Sequence, residues 1–195
     1  MKYFVTAIGT DSGKTVVSAI LCEAFGADYW KPVQAGLPSD TNRVRELLRN
    51  NKSALHPERF RLKTPASPHA AAGIDGVEIT LNDFRLPDTT NHLIVEGAGG
   101  CLVPLNDRHV VADLIRALGM DVILVSNHYL GSINHTLLTV EALTARGLAI
   151  RGIVFNGNAN PETERIILLR TGLRCILRLN TEPVVDREMV RRYAL

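Results

Sequence analysis

Ala7-Ile8-Gly9-Thr10-Asp11-Ser12-Gly13-Lys14-Thr15 follows the apolar run Tyr3-Phe4-Val5 and opens a stretch, from Val16, whose apolar residues recur at helical spacing. An apolar strand, a turn with glycines ending Gly-Lys-Thr, and then a helix is the layout of a phosphate-binding loop. Glycines let backbone N–H groups converge on an anion, and the following helix begins with unpaired N–H groups and a partial positive charge. In that layout Lys14 reaches the β- and γ-phosphates and the Thr15 hydroxyl serves Mg²⁺. The spacing departs from the standard pattern, because Ile8 stands where the first glycine belongs and Gly9 comes one residue later. Taken alone, the segment also reads as an ordinary strand–helix turn.

Outward from this loop, strand-like and helix-like periods alternate. Val16, Val17, Ile20, Leu21, Ala24 and Phe25 form one buried stripe of a helix over Lys14–Phe25. Asp28-Tyr29-Trp30 leads into Lys31-Pro32-Val33, a second strand cut off by a proline that cannot continue a central ladder. Ser39 or Asp40 caps a helix through Leu48. From Asn50 to Asp88 the chain is least periodic and rich in proline, which predicts an irregular insertion with a short helix after Ser67-Pro68.

The second half is more regular. His92 to Glu96 reads as a buried strand running into Gly97-Ala98-Gly99-Gly100, and Val110, Val111, Leu114, Ile115 and Leu118 mark a helix ending at Gly119. Asp121 to Ser126 is a continuous apolar strand of the kind covered on both faces. Ile133, Leu137, Val140 and Leu143 mark a helix stopping at Gly147, and Gly152 to Phe155 is a further strand. Asn160-Pro161 starts a helix with Glu162 and Glu164 in its first turn, complementing the dipole. Cys175-Ile176-Leu177 is a last strand, with a short helix from Val184. This alternation implies an α/β fold: a mostly parallel sheet with helices on both faces.

A chain of 195 residues, 46% apolar and 22% charged, suits one well-buried domain over residues 1–195. A net charge of +2 without a basic stripe gives no reason to expect a nucleic-acid partner. Cys22, Cys101 and Cys175 are odd in number and outside any C-x-x-C spacing, which favours reduced thiols in a cytoplasmic protein over a disulfide framework or a zinc site. Neither a secretory signal nor an apolar run of bilayer length is evident, and the six histidines form no metal-ligand spacing.

In a parallel α/β sheet, ligands sit beyond the carboxyl ends of the strands. Five clusters fall there: Thr10 to Thr15, Lys31 to Gly36, Glu96 to Gly100, Asn127 to Asn134 and Asn156 to Asn158, all polar or glycine-rich. Together they raise the phosphate-loop reading well above an ordinary turn. Glu96 ends an apolar strand, the position from which an acidic residue serves Mg²⁺ in phosphate-loop enzymes. With Thr15 and Asp40 it offers three hard oxygen donors, and Mg²⁺ accepts few protein ligands beside phosphate oxygens and water. Asp40 also reads simply as the cap of its helix. Lys31, fixed between a strand and a proline, can stabilise charge on a transferring phosphoryl group, worth roughly 2–4 kcal/mol per well-placed donor, or snorkel at a sheet edge. Gly131-Ser132-Ile133-Asn134 stands at a helix start where N–H groups suit a carboxylate, or form a bare cap. The Asn156 carboxamide can pair with an adenine edge, or serve a turn.

Several of these segments match one family. The chain resembles dethiobiotin synthetase, the ATP-dependent ring-closing enzyme of biotin synthesis. The resemblance rests on Val5-Thr6 through Thr15 with Val16-Val17-Ser18, on Lys31-Pro32-Val33-Gln34-Ala35-Gly36, and on Ser39-Asp40. It continues in Ser67-Pro68-His69-Ala70-Ala71, in Val95-Glu96-Gly97-Ala98-Gly99-Gly100 with Val103-Pro104-Leu105, and in Leu130-Gly131-Ser132-Ile133-Asn134-His135. The Lys-Pro-Val, Ser-Pro-His and Glu-Gly-Ala-Gly-Gly segments in this order are the specific part.

The resemblance implies a phosphate-loop NTPase-like fold working as a homodimer, with sites at the subunit interface. It implies that one amine of 7,8-diaminononanoate captures CO₂ (or bicarbonate-derived CO₂) as a carbamate, which takes the γ-phosphate of ATP before the second amine closes the ring. Lys14, Lys31 and Thr10 are the implied catalytic residues, and Thr15, Asp40 and Glu96 the implied Mg²⁺ set. Contacts to ATP are implied at Asp11, Ser12, Gly13, Lys14, Thr15 and Val16, at Asp40, at Glu96, Gly97, Ala98 and Gly99, and at Asn156 and Gly157. The other substrate is implied at Thr10, Lys31 and Ala35, and at Gly131, Ser132, Ile133 and Asn134 of the neighbouring subunit. Ala35 stands where the family often has a hydroxyl residue, and the segment after Asn156 is short and matches poorly.

The main rival is a partitioning or spatial-regulation ATPase, whose output is assembly. Such proteins usually carry a second lysine early in the loop, where this chain has Gly9, and the Ser-Pro-His segment has no role in them. An ATP-dependent amidotransferase would need a glutaminase domain for which the chain has no room. A nucleotide-binding module without catalysis remains the reading if Ala35 disables the chemistry.

Overall fold

The computed structural model describes all residues, Met1–Leu195. The first strand, β1 (Lys2–Ala7), occupies the centre of a seven-stranded sheet. The others are β2 (Asp28–Trp30), β4 (Leu55–His56), β6 (Leu93–Gly100), β7 (Asp121–Asn127), β8 (Ile150–Asn156) and β9 (Cys175–Leu179). Their spatial order is β4-β2-β6-β1-β7-β8-β9, and every neighbouring pair is parallel. A second, two-stranded sheet pairs β3 (Val33–Ala35) with β5 (Phe60–Leu62).

Side chains alternate across the sheet as the period of two requires. Phe4, Leu93, Val95 and Val122 point into a core closed by α3 (Pro68–Asp75), α4 (Val111–Ala117) and α5 (Ser132–Thr144). Val5, Ile94, Ile123 and Val154 point the other way, into a core shared with α1 (Lys14–Phe25), α2 (Asp40–Leu47) and α7 (Arg187–Ala194). A smaller cluster under α6 (Pro161–Thr171) holds Leu124, Ile153, Phe155 and Ile167. Burial on both faces explains why β1, β6 and β7 read as unbroken apolar runs.

The expected elements are present, with four differences. Lys31-Pro32-Val33 is not one strand: β2 ends at Trp30 and β3 begins at Val33 in the other sheet. Pro32 has no N–H to donate, and its carbonyl accepts from Arg59 N and Phe60 N instead. The Asn50–Asp88 segment is more ordered than expected, since it contains β4, β5, α3 and a 3-10 turn at Leu81–Asp83. A two-residue strand such as β4 carries no periodicity, so only pairing with Tyr29 and Trp30 reveals it. The strand before the glycines runs through them, because β6 extends to Gly100 and pairs there with Ala7. The last helix starts at Arg187 rather than Val184, where Asp186 caps it by accepting from Met189 N.

Cys22, Cys101 and Cys175 are unpaired thiols. No helix is long and apolar enough to cross a membrane.

Candidate active site

At the carboxyl ends of β1, β2 and β6 lies a cavity of about 670 Å³. Thr10, Asp11, Gly13, Lys14, Thr15 and Val16 form one wall, and Glu96, Ala98 and Gly99 the base of another. Lys31, Gln34, Ala35 and Asp40 arrive from β2, β3 and α2, while Pro65 to Pro68 close the far side.

The loop owes its shape to two left-handed residues, Asp11 at φ 55° and Gly13 at φ 91°. At Gly13 a side chain would meet both the strained dihedral and the Asn156 carboxamide, so only glycine fits. Ser12 is 1% exposed, and its hydroxyl donates to Gly9 O at 3.1 Å, so that side chain faces into the loop and not the cavity. Asn156, at the end of β8, braces the loop by donating from Nδ2 to Ser12 O at 2.9 Å. That bond gives the side chain a turn-stabilising task and leaves Oδ1 and one N–H free.

Lys14 folds back over the loop and donates to Gly9 O at 3.1 Å. Burial, and next the charge of Lys31, lower its pKa to about 8, with Glu96 and Asp40 opposing. An anion at the loop would relieve that strain on the ammonium.

Lys31 lies at the heart of the site, 4% exposed. Its ammonium donates to Glu96 Oε1 at 2.9 Å and Gly97 O at 2.9 Å, and forms an ion pair with Asp40 Oδ2 at 2.7 Å. Burial works to lower its pKa, but Glu96 and Asp40 together outweigh burial and the net shift is upward. The Thr15 hydroxyl lies 2.9 Å from Glu96 Oε1 and 3.2 Å from Asp40 Oδ1, and its one proton serves either oxygen. Thr15, Asp40 and Glu96 are therefore brought together, with a cation already seated between the two carboxylates. Three hard oxygen donors around a cation position suit Mg²⁺.

Two residues absent from the sequence-derived set complete the constellation. Gln34 accepts from Asp40 N at 2.9 Å and so fixes the start of α2. Tyr29, fully buried, donates its phenol to Glu96 Oε2 at 2.9 Å. Tyr29 precedes Lys31 by two positions on the same strand face, a signal that acquires meaning only once β2 is known to pair with β6.

Other expected residues lie elsewhere. Gly97 turns its α-carbon toward Phe4 and reaches the site only through its carbonyl. Gly157 packs against His128 and donates to Leu179 O. Gly131, Ser132, Ile133 and Asn134 begin α5 outside this cavity. Ser67 and Pro68 line the cavity, whereas His69 lines a neighbouring one and pairs with Ser67 Oγ at 3.1 Å. Ala35 presents a methyl group to the wall, with no hydrogen-bond donor.

A family model described as an AAA domain matches residues 1–189. The chain is 59% identical over 196 residues to an ATP-dependent dethiobiotin synthetase of Cytophaga hutchinsonii, covering 100% of this chain and 95% of that one. It is 50% identical to the ATP-dependent dethiobiotin synthetase of Christiangramia forsetii, over 99% of this chain and 94% of the relative. Identity to the Brucella ovis protein of the same name is 45%, over 95% and 87% of the two chains. Among solved structures, the septum site-determining protein MinD of Pyrococcus horikoshii, in complex with Mg-ADP, superposes with TM-score 0.58 at 14% identity. That match covers 98% of this chain and 86% of MinD. A ParA family ATPase of Chlorobium tepidum gives TM-score 0.54 at 13% identity, over 99% and 90%. These likenesses show the phosphate-loop NTPase fold alone.

Proposed function

The chain belongs to the ATP-dependent dethiobiotin synthetase family, and from that premise we propose how its residues divide the work of closing the ureido ring. The enzyme is a cyclo-ligase of biotin biosynthesis that spends ATP to join CO₂ to diaminononanoate. One substrate amine attacks the carbon of CO₂ and loses a proton, giving a carbamate. A carbamate oxygen attacks the γ-phosphorus, ADP leaves, and a carbamic–phosphoric anhydride results. The second amine attacks the carbonyl carbon, phosphate departs, and the ring is closed.

Such chemistry asks the protein chiefly for positioning and charge stabilisation. The loop N–H groups from Asp11 to Thr15 and the start of α1 hold the phosphates, and Lys14 leaves Gly9 O for their oxygens. Val16, Ala98 and Gly99 shape the ATP side of the cavity, while Asn156, which braces the loop from behind, would offer its free carboxamide atoms to the nucleobase. Thr15, Asp40 and Glu96 would hold Mg²⁺, which supplies charge neutralisation on the phosphate oxygens when bound. Lys31, released from the carboxylates, faces the carbamate and γ-phosphate oxygens. Its place beside both proposed metal carboxylates is the observation that carries this division of roles.

We further propose that the chain acts as a homodimer. Gly131–Asn134 do not line the cavity of their own chain, and the surface around them is apolar and open. Leu130 and Leu138 are exposed, as are Tyr129, Ile133 and Leu102. A groove of about 380 Å³ runs from Thr10 and Val103 to His135 and Leu138, and Thr10 lines both it and the main cavity. A second copy laid on this surface would bring the start of its α5 to the far end of an aliphatic substrate, where helix N–H groups suit the carboxylate. The free thiols agree with a cytoplasmic setting.

The purified protein with ATP, Mg²⁺, bicarbonate and 7,8-diaminononanoate should release ADP, phosphate and dethiobiotin together. Absence of diamine-dependent phosphate release would sink the assignment of activity to this chain.

A further inference from the structure

Glu96 is 1% exposed, and its two oxygens are treated differently. Oε1 receives Lys31 and Thr15 from the cavity side. Oε2 receives the Tyr29 phenol at 2.9 Å from inside the core. The sheet register explains this. Asp28 pairs with Leu93, Tyr29 with Ile94 and Trp30 with Val95, so the next step sets Lys31 level with Glu96. Tyr29 and Lys31 alternate around Trp30 onto one face of β2, the face on which α1 and Thr15 lie. The carboxylate is thus approached by one side chain from behind and by two from the cavity. The Tyr29 hydroxyl donates and Glu96 Oε2 accepts.

We propose that Tyr29 is a positioning residue for Glu96, pinning Oε2 in the core so that Oε1 alone faces Mg²⁺ and the nucleotide. This rests on the reading of Glu96 as a residue that serves the metal. A partner that orients a metal ligand from the outer shell commonly changes metal affinity by about 10–100-fold when removed. Without the phenol, Oε2 is a buried charged acceptor lacking a partner, and the carboxylate is held from the cavity side alone.

The test is calorimetric binding of a non-hydrolysable ATP analogue across a Mg²⁺ series. The series is run on the wild-type chain and on Tyr29→Phe, Glu96→Gln and Val190→Ala. Val190 is a fully buried residue of α7 remote from the cavity, so its truncation loosens the same core without touching Glu96. Tyr29→Phe and Glu96→Gln are expected to raise the Mg²⁺ midpoint by about 10-fold or more. Val190→Ala is expected to titrate as wild type. A shift in Glu96→Gln with none in Tyr29→Phe overturns the role of Tyr29 and leaves the metal reading standing. No shift in either overturns both, and an equal shift in Val190→Ala reduces the effect to loss of core rigidity and overturns the proposal. Should Tyr29→Phe fail to fold, para-fluorophenylalanine at that position fills the hydroxyl's place without donating. It should raise the Mg²⁺ midpoint, and an unchanged midpoint would overturn the role.

Discussion

Lys31 keeps its charge at 4% exposure because two carboxylates and one carbonyl surround a single ammonium. Its proximity to Pro32 and to a strand end was legible in the sequence. Its partners were not, since Asp40 and Glu96 are far along the chain. A buried donor at a site of phosphoryl transfer is commonly worth ~10²–10³-fold in turnover, and Lys31→Ala should lower kcat by at least ~10²-fold. Steady-state assays check this, and near-normal turnover would leave Lys31 a structural counter-charge. Ser12 and Asn156 show the opposite lesson. Both lie in segments the motif marks as nucleotide-binding, yet the Ser12 hydroxyl and one Asn156 N–H are used to shape the loop itself. Spacing identifies the loop but cannot say which of its polar atoms are already occupied.

At the scale of elements, β6 and β2 set the geometry. Gly97 lets β6 pass Phe4 closely: an added β-carbon would stand 2.8 Å from Phe4 Cε1 and 3.4 Å from Val111 Cγ1. Gly97→Ala should therefore destabilise by about 1–3 kcal/mol through overpacking. It should also lower kcat, because the Gly97 carbonyl that receives Lys31 shifts with the strand. Urea denaturation and kcat measured together check this, and loss of stability alone would separate the carbonyl from catalysis. The other end of β2 is anchored by Asp28, which is 2% exposed. Its carboxylate accepts from Asn91 Nδ2 at 2.9 Å, Thr89 Oγ1 at 2.6 Å, Ala54 N at 2.9 Å and His56 Nε2 at 3.0 Å. Burial pushes the Asp28 carboxyl up, but these bonds outweigh it and hold the pKa below the ordinary aspartate range. A carboxyl depressed in the folded state stabilises fully above its unfolded pKa, and that stability fades as pH falls through the lower folded value. Asp28→Asn should cost about 1–3 kcal/mol near neutrality, and the difference from wild type should shrink in acid. Denaturation midpoints across pH check the sign, and a difference independent of pH would remove the charge from the explanation.

For the whole molecule, the proposed pairing makes a prediction that no single chain can mimic. If each cavity takes Lys31 from one subunit and the start of α5 from the other, Lys31→Ala and Asn134→Glu chains, the latter setting a carboxylate against the substrate carboxylate, are each inactive alone but complement when mixed. Random exchange makes half the dimers mixed, and each mixed dimer has one intact site, so about a quarter of wild-type activity should return. No recovery after verified subunit exchange would place both residues in one subunit's site. The likeness to MinD and ParA shows that the fold cannot by itself separate a synthetase from a spatial-regulation ATPase. The separation comes from near-full-length identity of 45–59% to dethiobiotin synthetases and from Gly9, which stands where the rival class usually has a lysine.

The sequence by itself determined the parallel α/β architecture, the loop from Gly9 to Thr15 and the family, because these depend on local period, on glycine at fixed positions and on ordered motifs. It placed α1 and α6 closely, since an apolar helical stripe marks the first and the Asn160-Pro161 cap the second. Only the tertiary structure decided that β3 leaves the main sheet, that β4 forms its edge, and that Tyr29 reaches Glu96. The physical reason is the same in each case. Strand partners and the contacts of a buried carboxylate are set by register between segments distant in the chain, and one-dimensional spacing carries no record of register. The loop from Gly9 to Thr15 could be read as a phosphate site once the other polar, glycine-rich strand ends were counted beside it. The cation bridge that completes it arises only when β2, α2 and β6 meet.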